Sequence, residues 1–234
     1  MMGKPHDMVR DIGVALILFA IAFNLPIIWL AVNFRYPDIL RQPPDVILTA
    51  FAGGGPALIL AWAFFALAAL VFAPIAVAVG HVTKAPPGVT ALGVAAGVTQ
   101  AIGLSRWVYV VPGFAASWEG ADEGGRSGIE AIFMTLHQFA GVGIGEAVGQ
   151  TLTGFWLIGV AVSQHRDLRY GVRLATLGIV GGVTLVLGLV EGLATVLSFD
   201  PGLFELAAML GFLLLTAWMV WTGICCLRHT DVDT

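Results

Sequence analysis

The sequence predicts an all-α integral membrane bundle of six transmembrane helices, and three observations carry that prediction. Only 11% of the 234 residues are charged, against roughly 25% in an ordinary soluble domain. Hydrophobic residues make up 58%, more than a soluble surface tolerates and what lipid favours. Finally, six apolar runs reach the roughly 20 residues that a helix needs to cross a bilayer; they lie near 11–33, 56–80, 89–111, 138–163, 172–197 and 204–227. Their continuous hydrophobicity, without period-two alternation, reads as helix and not as barrel strand.

The first run, Ile12 to Val32, follows Lys4 and Arg10 as a signal peptide would. It exceeds an h-region of roughly 7–15 residues and no small-x-small cleavage site follows, so it is expected to stay as the first span. Asn24 and Pro26 lie inside it. Proline removes a helical hydrogen bond, and a kink beside a polar side chain suits a cavity.

The connection to the second span contains Pro43-Pro44-Asp45, then a short apolar stretch ending at Gly53-Gly54-Gly55-Pro56. That glycine-proline cluster is a strong breaker, so the stretch before it is expected to lie in the interface or dip into the membrane. After the third span, Ser117 to Gly128 is polar and glycine-rich, and Ser127-Gly128-Ile129-Glu130 matches a capping box that starts a helix. Ile129, Ile132, Phe133 and Leu136 recur at helical spacing. A helix from there to Ser163 exceeds one span, so its first two turns are expected along the interface.

Lys4, Arg10, Lys84, Arg166, Arg169, Arg173 and Arg228 fall on the side of the termini, and Arg35, Arg41 and Arg126 on the other. The positive-inside rule therefore places both termini in the cytoplasm. The opposite face carries Asp38, Asp45, Glu119, Asp122, Glu123, Glu130, Asp200 and Glu205, read as a solvated loop surface. Trp29, Tyr36, Trp107, Tyr109, Trp118 and Phe199 cluster at the same ends and read as an interfacial aromatic belt. With a net charge of −4 and scattered basic residues, nothing resembles a nucleic-acid-binding stripe. Cys225 and Cys226 are adjacent and read as ordinary reduced thiols, not as a disulfide framework or zinc pattern.

Glycine is periodic in the fourth run: Gly141, Gly145 and Gly149, continued by Thr153, recur every fourth residue. Gly93 with Gly97, Gly178 with Gly182, and Gly188 with Gly192 repeat the interval. Small residues so spaced let another helix approach closely, which matters where lipid supplies no hydrophobic drive. The partner is expected to be internal, with a homo-oligomer or a partner membrane protein as the alternative.

Charges inside hydrocarbon cost several kcal/mol unless paired or hydrated. Arg106, Glu146 and Glu191 are such charges. At ~1.5 Å per residue Arg106 and Glu191 fall roughly 9 Å deep, and Glu146 and Asn24 roughly 13 Å. Gln150 shares a helix face with Glu146, and Thr99, Gly103 and Arg106 share another. These residues (Arg106, Glu146, Gln150, Glu191 and Asn24) form the candidate binding site, with an Arg106–Glu146 ion pair expected and Glu191 as competitor or third member. His137 and Glu130 could hold a metal, but no other histidine lies on that side; a bis-histidine haem needs facing partners at one depth, and His81 and His165 fall at inner helix ends and read as a solvated loop. No metal and no cofactor is expected.

The segments Gly103-Leu104-Ser105-Arg106-Trp107, Val111-Pro112-Gly113, His137 through Glu146, and Leu152-Thr153-Gly154-Phe155-Trp156 resemble the bacterial membrane family catalogued as domain of unknown function 4386. Arg35-Tyr36-Pro37-Asp38-Ile39-Leu40 is consistent with it. The resemblance covers almost the whole chain and implies a six-helix protein of the bacterial inner membrane, with no activity attached. Three functions then compete. The first is small-solute or ion binding and transport through the polar site, although no inverted repeat is evident. The second is an assembly or regulatory subunit in which Arg106–Glu146 is a structural staple. The third is a membrane enzyme, which no H-E-x-x-H or P-loop motif supports.

Overall fold

The computed structural model describes residues 5–198, 200 and 202–230, with backbone alone for residues 5, 6, 195, 196, 229 and 230. Its elements in order are α1 (Pro5–Phe34), a 3₁₀ turn (Asp38–Arg41), α2 (Pro44–Thr83), α3 (Pro87–Tyr109), α4 (Val111–Gly120), α5 (Glu123–Leu136), a π-helical segment (His137–Val148), α6 (Gly149–His165), α7 (Gly171–Val196) and α8 (Gly202–Thr230). Among the described residues there is no strand, and six helical stretches are long and apolar enough to cross a membrane.

The six stretches close a ring: α1 packs on α2, α2 on α3, α3 on α6, α6 on α7, α7 on α8, and α8 back on α1. Gly13 of α1 lies against Gly223 and Cys226 of α8, which sets the chain ends at one end of the ring, here the terminal end. The opposite, distal end carries the 3₁₀ turn, α4 and α5. Two apolar cores fill the ring. The terminal-end core joins Leu16, Phe19, Phe72, Trp156, Leu185 and Trp218, with Phe72 edge-on to Trp156 at 4.8 Å. The distal core joins Leu30, Phe34, Phe51, Trp62, Trp107 and Phe133, and is centred on the Trp62–Trp107 stack at 4.8 Å.

The breaker before the second span acts as a joint between two helices. Gly55 takes φ 58°, ψ −160°, a conformation open to glycine and strained for any other residue. Pro56 disfavours the α conformation of the residue before it. The piece before the joint is itself helical and buries Ile47, Leu48 and Phe51 in the distal core.

The helix start expected at Ser127 is corrected. Within the polar, glycine-rich stretch from Ser117 to Gly128, α4 runs to Gly120 and α5 already starts at Glu123. The cap is Asp122, whose Oδ1 accepts from the Gly125 amide at 2.8 Å. Ser127 lies inside α5, its hydroxyl donating to the Glu123 carbonyl at 3.2 Å. An aspartate at the N-cap competes well with serine, and it stands five residues earlier in the chain. From Glu123 to His165 the helix continues without a break; its π segment joins α5 and α6 through residues in the right-handed helical region.

The aromatic belt is corrected as well. Trp107 is fully buried, and Trp118 is buried too. Tyr36 packs edge-on against Trp62 at 5.6 Å. They belong to the distal core because α4, α5 and the 3₁₀ turn cover them. Tyr109 is exposed, Trp29 half-buried, and Phe199 lies outside the described residues.

At the terminal end Arg169 clamps the α6–α7 connection. Its Nε and Nη2 donate to the Asp167 carboxylate at 2.9 and 2.6 Å, and Nη2 also to the Val82 carbonyl at 3.2 Å. The Arg169 hydrogen bonds hold the Asp167 carboxyl below its usual range. A depressed carboxyl contributes stability above its unfolded pKa, about 3.9, and loses it as pH falls through the lower folded value. Asp167→Asn is therefore expected to lower the melting temperature at neutral pH by no more than about 1 kcal/mol equivalent. The difference from the parent should shrink as pH falls below about 3.9 and through the lower folded value.

Candidate functional site

Between the two cores, towards the distal end, the ring encloses a cavity of about 290 Å³. Its wall takes residues from α1, the 3₁₀ turn, α2, α3, the π segment and α6 to α8. Asn24, Arg106, Glu146, Gln150 and Glu191 all line it. Tyr36, Arg41, Gln100 and Glu205 do so as well.

Arg41 changes the pairing. Its Nη2 donates to Glu146 Oε2 at 2.7 Å and to Glu191 Oε1 at 2.5 Å, and its Nε to Glu191 Oε1 at 3.1 Å. One guanidinium from the 3₁₀ turn thus bridges carboxylates on the π segment and α7. Burial acts to lower Arg41, but Glu146 and Glu191 outweigh it and hold it above its ordinary value. Burial also pushes the neighbouring Tyr36 phenol up, and Glu146 adds to the effect. The expected Arg106–Glu146 ion pair is not formed. The physical reason lies in a loop. The distal connection folds inward after Phe34, and the 3₁₀ turn buries Ile39 and Leu40 and so carries Arg41 into the cavity mouth. Two membrane acids against one membrane base was the sign available in the sequence that a base from outside the spans was missing.

Arg106 has another environment. Its Nη1 donates to the Gly103 carbonyl, its guanidinium lies 5.1 Å from the Trp107 ring centroid, and it packs on the backbone of Gly141. The residue is 7% exposed, and its Nε has no acceptor among the described residues. Glycines allow this arrangement. A Cβ on Gly103 would stand 2.6 Å from the Gly145 Cα, so α3 and the π segment meet backbone to backbone. π-helical turns are rare and concentrate at functional sites; this one carries Gly141, Gly143, Gly145 and Glu146.

The other members are held more conventionally. Asn24 Nδ2 donates to the Ala20 carbonyl at 2.7 Å and to Thr216 Oγ1 at 3.1 Å, tying α1 to α8. Gln100 Nε2 donates to Thr153 Oγ1 at 2.8 Å. Gln150 is buried against Gly188, and its Nε2 has no acceptor among the described residues.

His137 serves the turn that carries Arg41. It is 2% exposed, stacks on Phe133 at 5.5 Å, and its Nε2 donates to the Leu40 carbonyl at 3.1 Å. His137→Phe leaves that carbonyl buried without a donor. The expected cost is about 1–2 kcal/mol in a thermal melt, together with faster proteolysis between Phe34 and Pro44. Among the described residues no cluster of three potential metal ligands exists. His81 and His165 are exposed at the terminal end.

A closed ring of apolar helices around an internal charged cavity defines a multi-pass α-helical membrane protein. Within that class the chain belongs to the family described as Domain of unknown function (DUF4386), whose model matches residues 12–223. No curated protein and no solved structure matches the chain.

Proposed function

We propose that this protein binds a small amphipathic solute in the distal cavity and passes it across or within the membrane. The observation that carries the reading is the pairing of a cavity of about 290 Å³ with charged walls. Polar groups at membrane depth are costly and mark binding or transport paths, and a mostly apolar cleft with a few placed polar groups is the form of a small-molecule site. The arrangement with both termini cytoplasmic is part of the proposal. Arg10, Lys84, Arg166, Arg169, Arg173 and Arg228 lie at the terminal end, and Arg35, Arg41 and Arg126 at the distal end, so the positive-inside rule opens the cavity to the outside. The subunit alternative is weakened because its staple, Arg106–Glu146, is absent.

Two measurements test this. In lipid nanodiscs, saturating phenylpropyl compounds are expected to stabilise the protein by about 2–3 kcal/mol equivalent in a thermal melt. Ala208→Phe, which fills the cavity from α8, should abolish that shift while keeping a cooperative melt. A shift that survives in the filled variant rejects the reading. For orientation, Cys225 and Cys226 are replaced by Ser and single cysteines are placed at Asp122 or Asp167. Asp122→Cys should react with an impermeant maleimide on intact cells and Asp167→Cys only after permeabilisation; the reverse pattern inverts the topology.

A further inference from the structure

We infer that the cavity takes an amphiphilic carboxylate, its head on Arg106 and its apolar body against the aromatic wall, with one proton entering alongside; the inference rests on the solute-binding reading above. Three wall residues bury a nitrogen that lacks an acceptor among the described residues: Arg106 Nε, Gln150 Nε2 and Trp62 Nε1. All three are donors. A buried guanidinium with no carboxylate in hydrogen-bond contact is costly, and both deep carboxylates already bond Arg41. The group that complements Arg106 is therefore an acceptor bearing negative charge. A carboxylate presents two coplanar oxygens to the guanidinium fork. Phe23, Phe65 and Phe212 with the two tryptophans provide the apolar wall, in a space suited to a body of roughly ten heavy atoms.

Charge explains the proton. Arg41 and Arg106 face Glu146, Glu191 and Glu205, so the wall is already one charge negative and a monoanion adds a second negative charge in a low-dielectric site. The Tyr36 phenol, from the connection before the 3₁₀ turn, stays neutral. One proton taken up with the monoanion cancels the charge it brings, and no other bond changes. A dianionic phosphate would require two protons.

The experiment is titration calorimetry on the full-length protein in nanodiscs with phenylpropanoate, phenylpropanol and phenylpropylammonium, which share a body and differ in the head. The carboxylate should bind at least about tenfold tighter than the alcohol, and the ammonium weakest. Arg106→Gln should bring the carboxylate down to the level of the alcohol. If Arg106→Gln does not fold, Gln150→Met should reduce the same preference, and the wild-type ranking alone still decides. Carboxylate affinity should rise as pH falls from about 8 to about 6, by up to about tenfold per unit for one linked proton; a pH-independent affinity overturns the proton. A preference for the ammonium, or none between carboxylate and alcohol, overturns the carboxylate and leaves solute binding standing. Absence of binding by all three overturns both.

Discussion

Replacing Arg41 with Gln is expected to destabilise the protein by about 2–3 kcal/mol, read as a lower thermal midpoint in nanodiscs. The substitution leaves Glu146 and Glu191 at the cavity without the guanidinium they share. Breaking a fully buried ion pair costs about 3–5 kcal/mol. The side chains of Arg41, Glu146 and Glu191 retain 32%, 33% and 13% of their exposure, so the lower figure applies. Because the cost comes from the carboxylates that lose the shared guanidinium, it should reverse when they are neutralised. The triple variant Arg41→Gln, Glu146→Gln, Glu191→Gln is expected to regain most of the lost midpoint. A triple variant no more stable than the single one would show that Arg41 acts by packing the 3₁₀ turn and not by charge.

The second large effect is at the closest helix approach. Gly145→Val should cost about 3 kcal/mol or prevent folding, because the new side chain meets the Gly103 backbone at 3.1 Å from its first carbon. Overpacking costs about 1–3 kcal/mol where side chains can yield, and here the obstacle is main chain. Gly143 provides the control within the same π segment. The nearest heavy atom to a Cβ there is the Gln138 carbonyl oxygen at 3.4 Å, so Gly143→Ala should be near neutral or gain up to about 1 kcal/mol of helix propensity. Equal loss at both positions would mean that the π geometry, and not the α3 contact, needs glycine. The Gly145 variant should also perturb Arg106, since Gly141 of the same segment supports its guanidinium.

The elements that were legible in the sequence were those set by local composition. Pro56 and the glycines before it placed the start of the second span, and Gly55 does break the helix there. The depth count along four separate helices placed Asn24, Arg106, Glu146 and Glu191 in one layer, and all four line one cavity. The short distal helices were harder to read. Residues 111–120 carry Pro112 and Gly113, which lower helix propensity, yet α4 forms because it buries Val111, Ala115 and Trp118. Tertiary burial overrode propensity there. The same burial turned Trp107 and Trp118 from interfacial anchors into core.

By itself the sequence determined the six apolar spans, the family and the residue types that reach membrane depth, because each follows from hydropathy and from spacing along a single helix. Only the tertiary structure decided which base meets which acid. Arg41 lies in a connection whose path is set by contacts remote in sequence, with Leu40 held by His137 and Glu191 reached across 150 residues. Hydropathy assigns such a residue to solvent, and the inward fold of its turn assigns it to the cavity. Arg106, the base that the sequence matched to Glu146, is thereby left against Gly103, Gly141 and Trp107 with donors to spare.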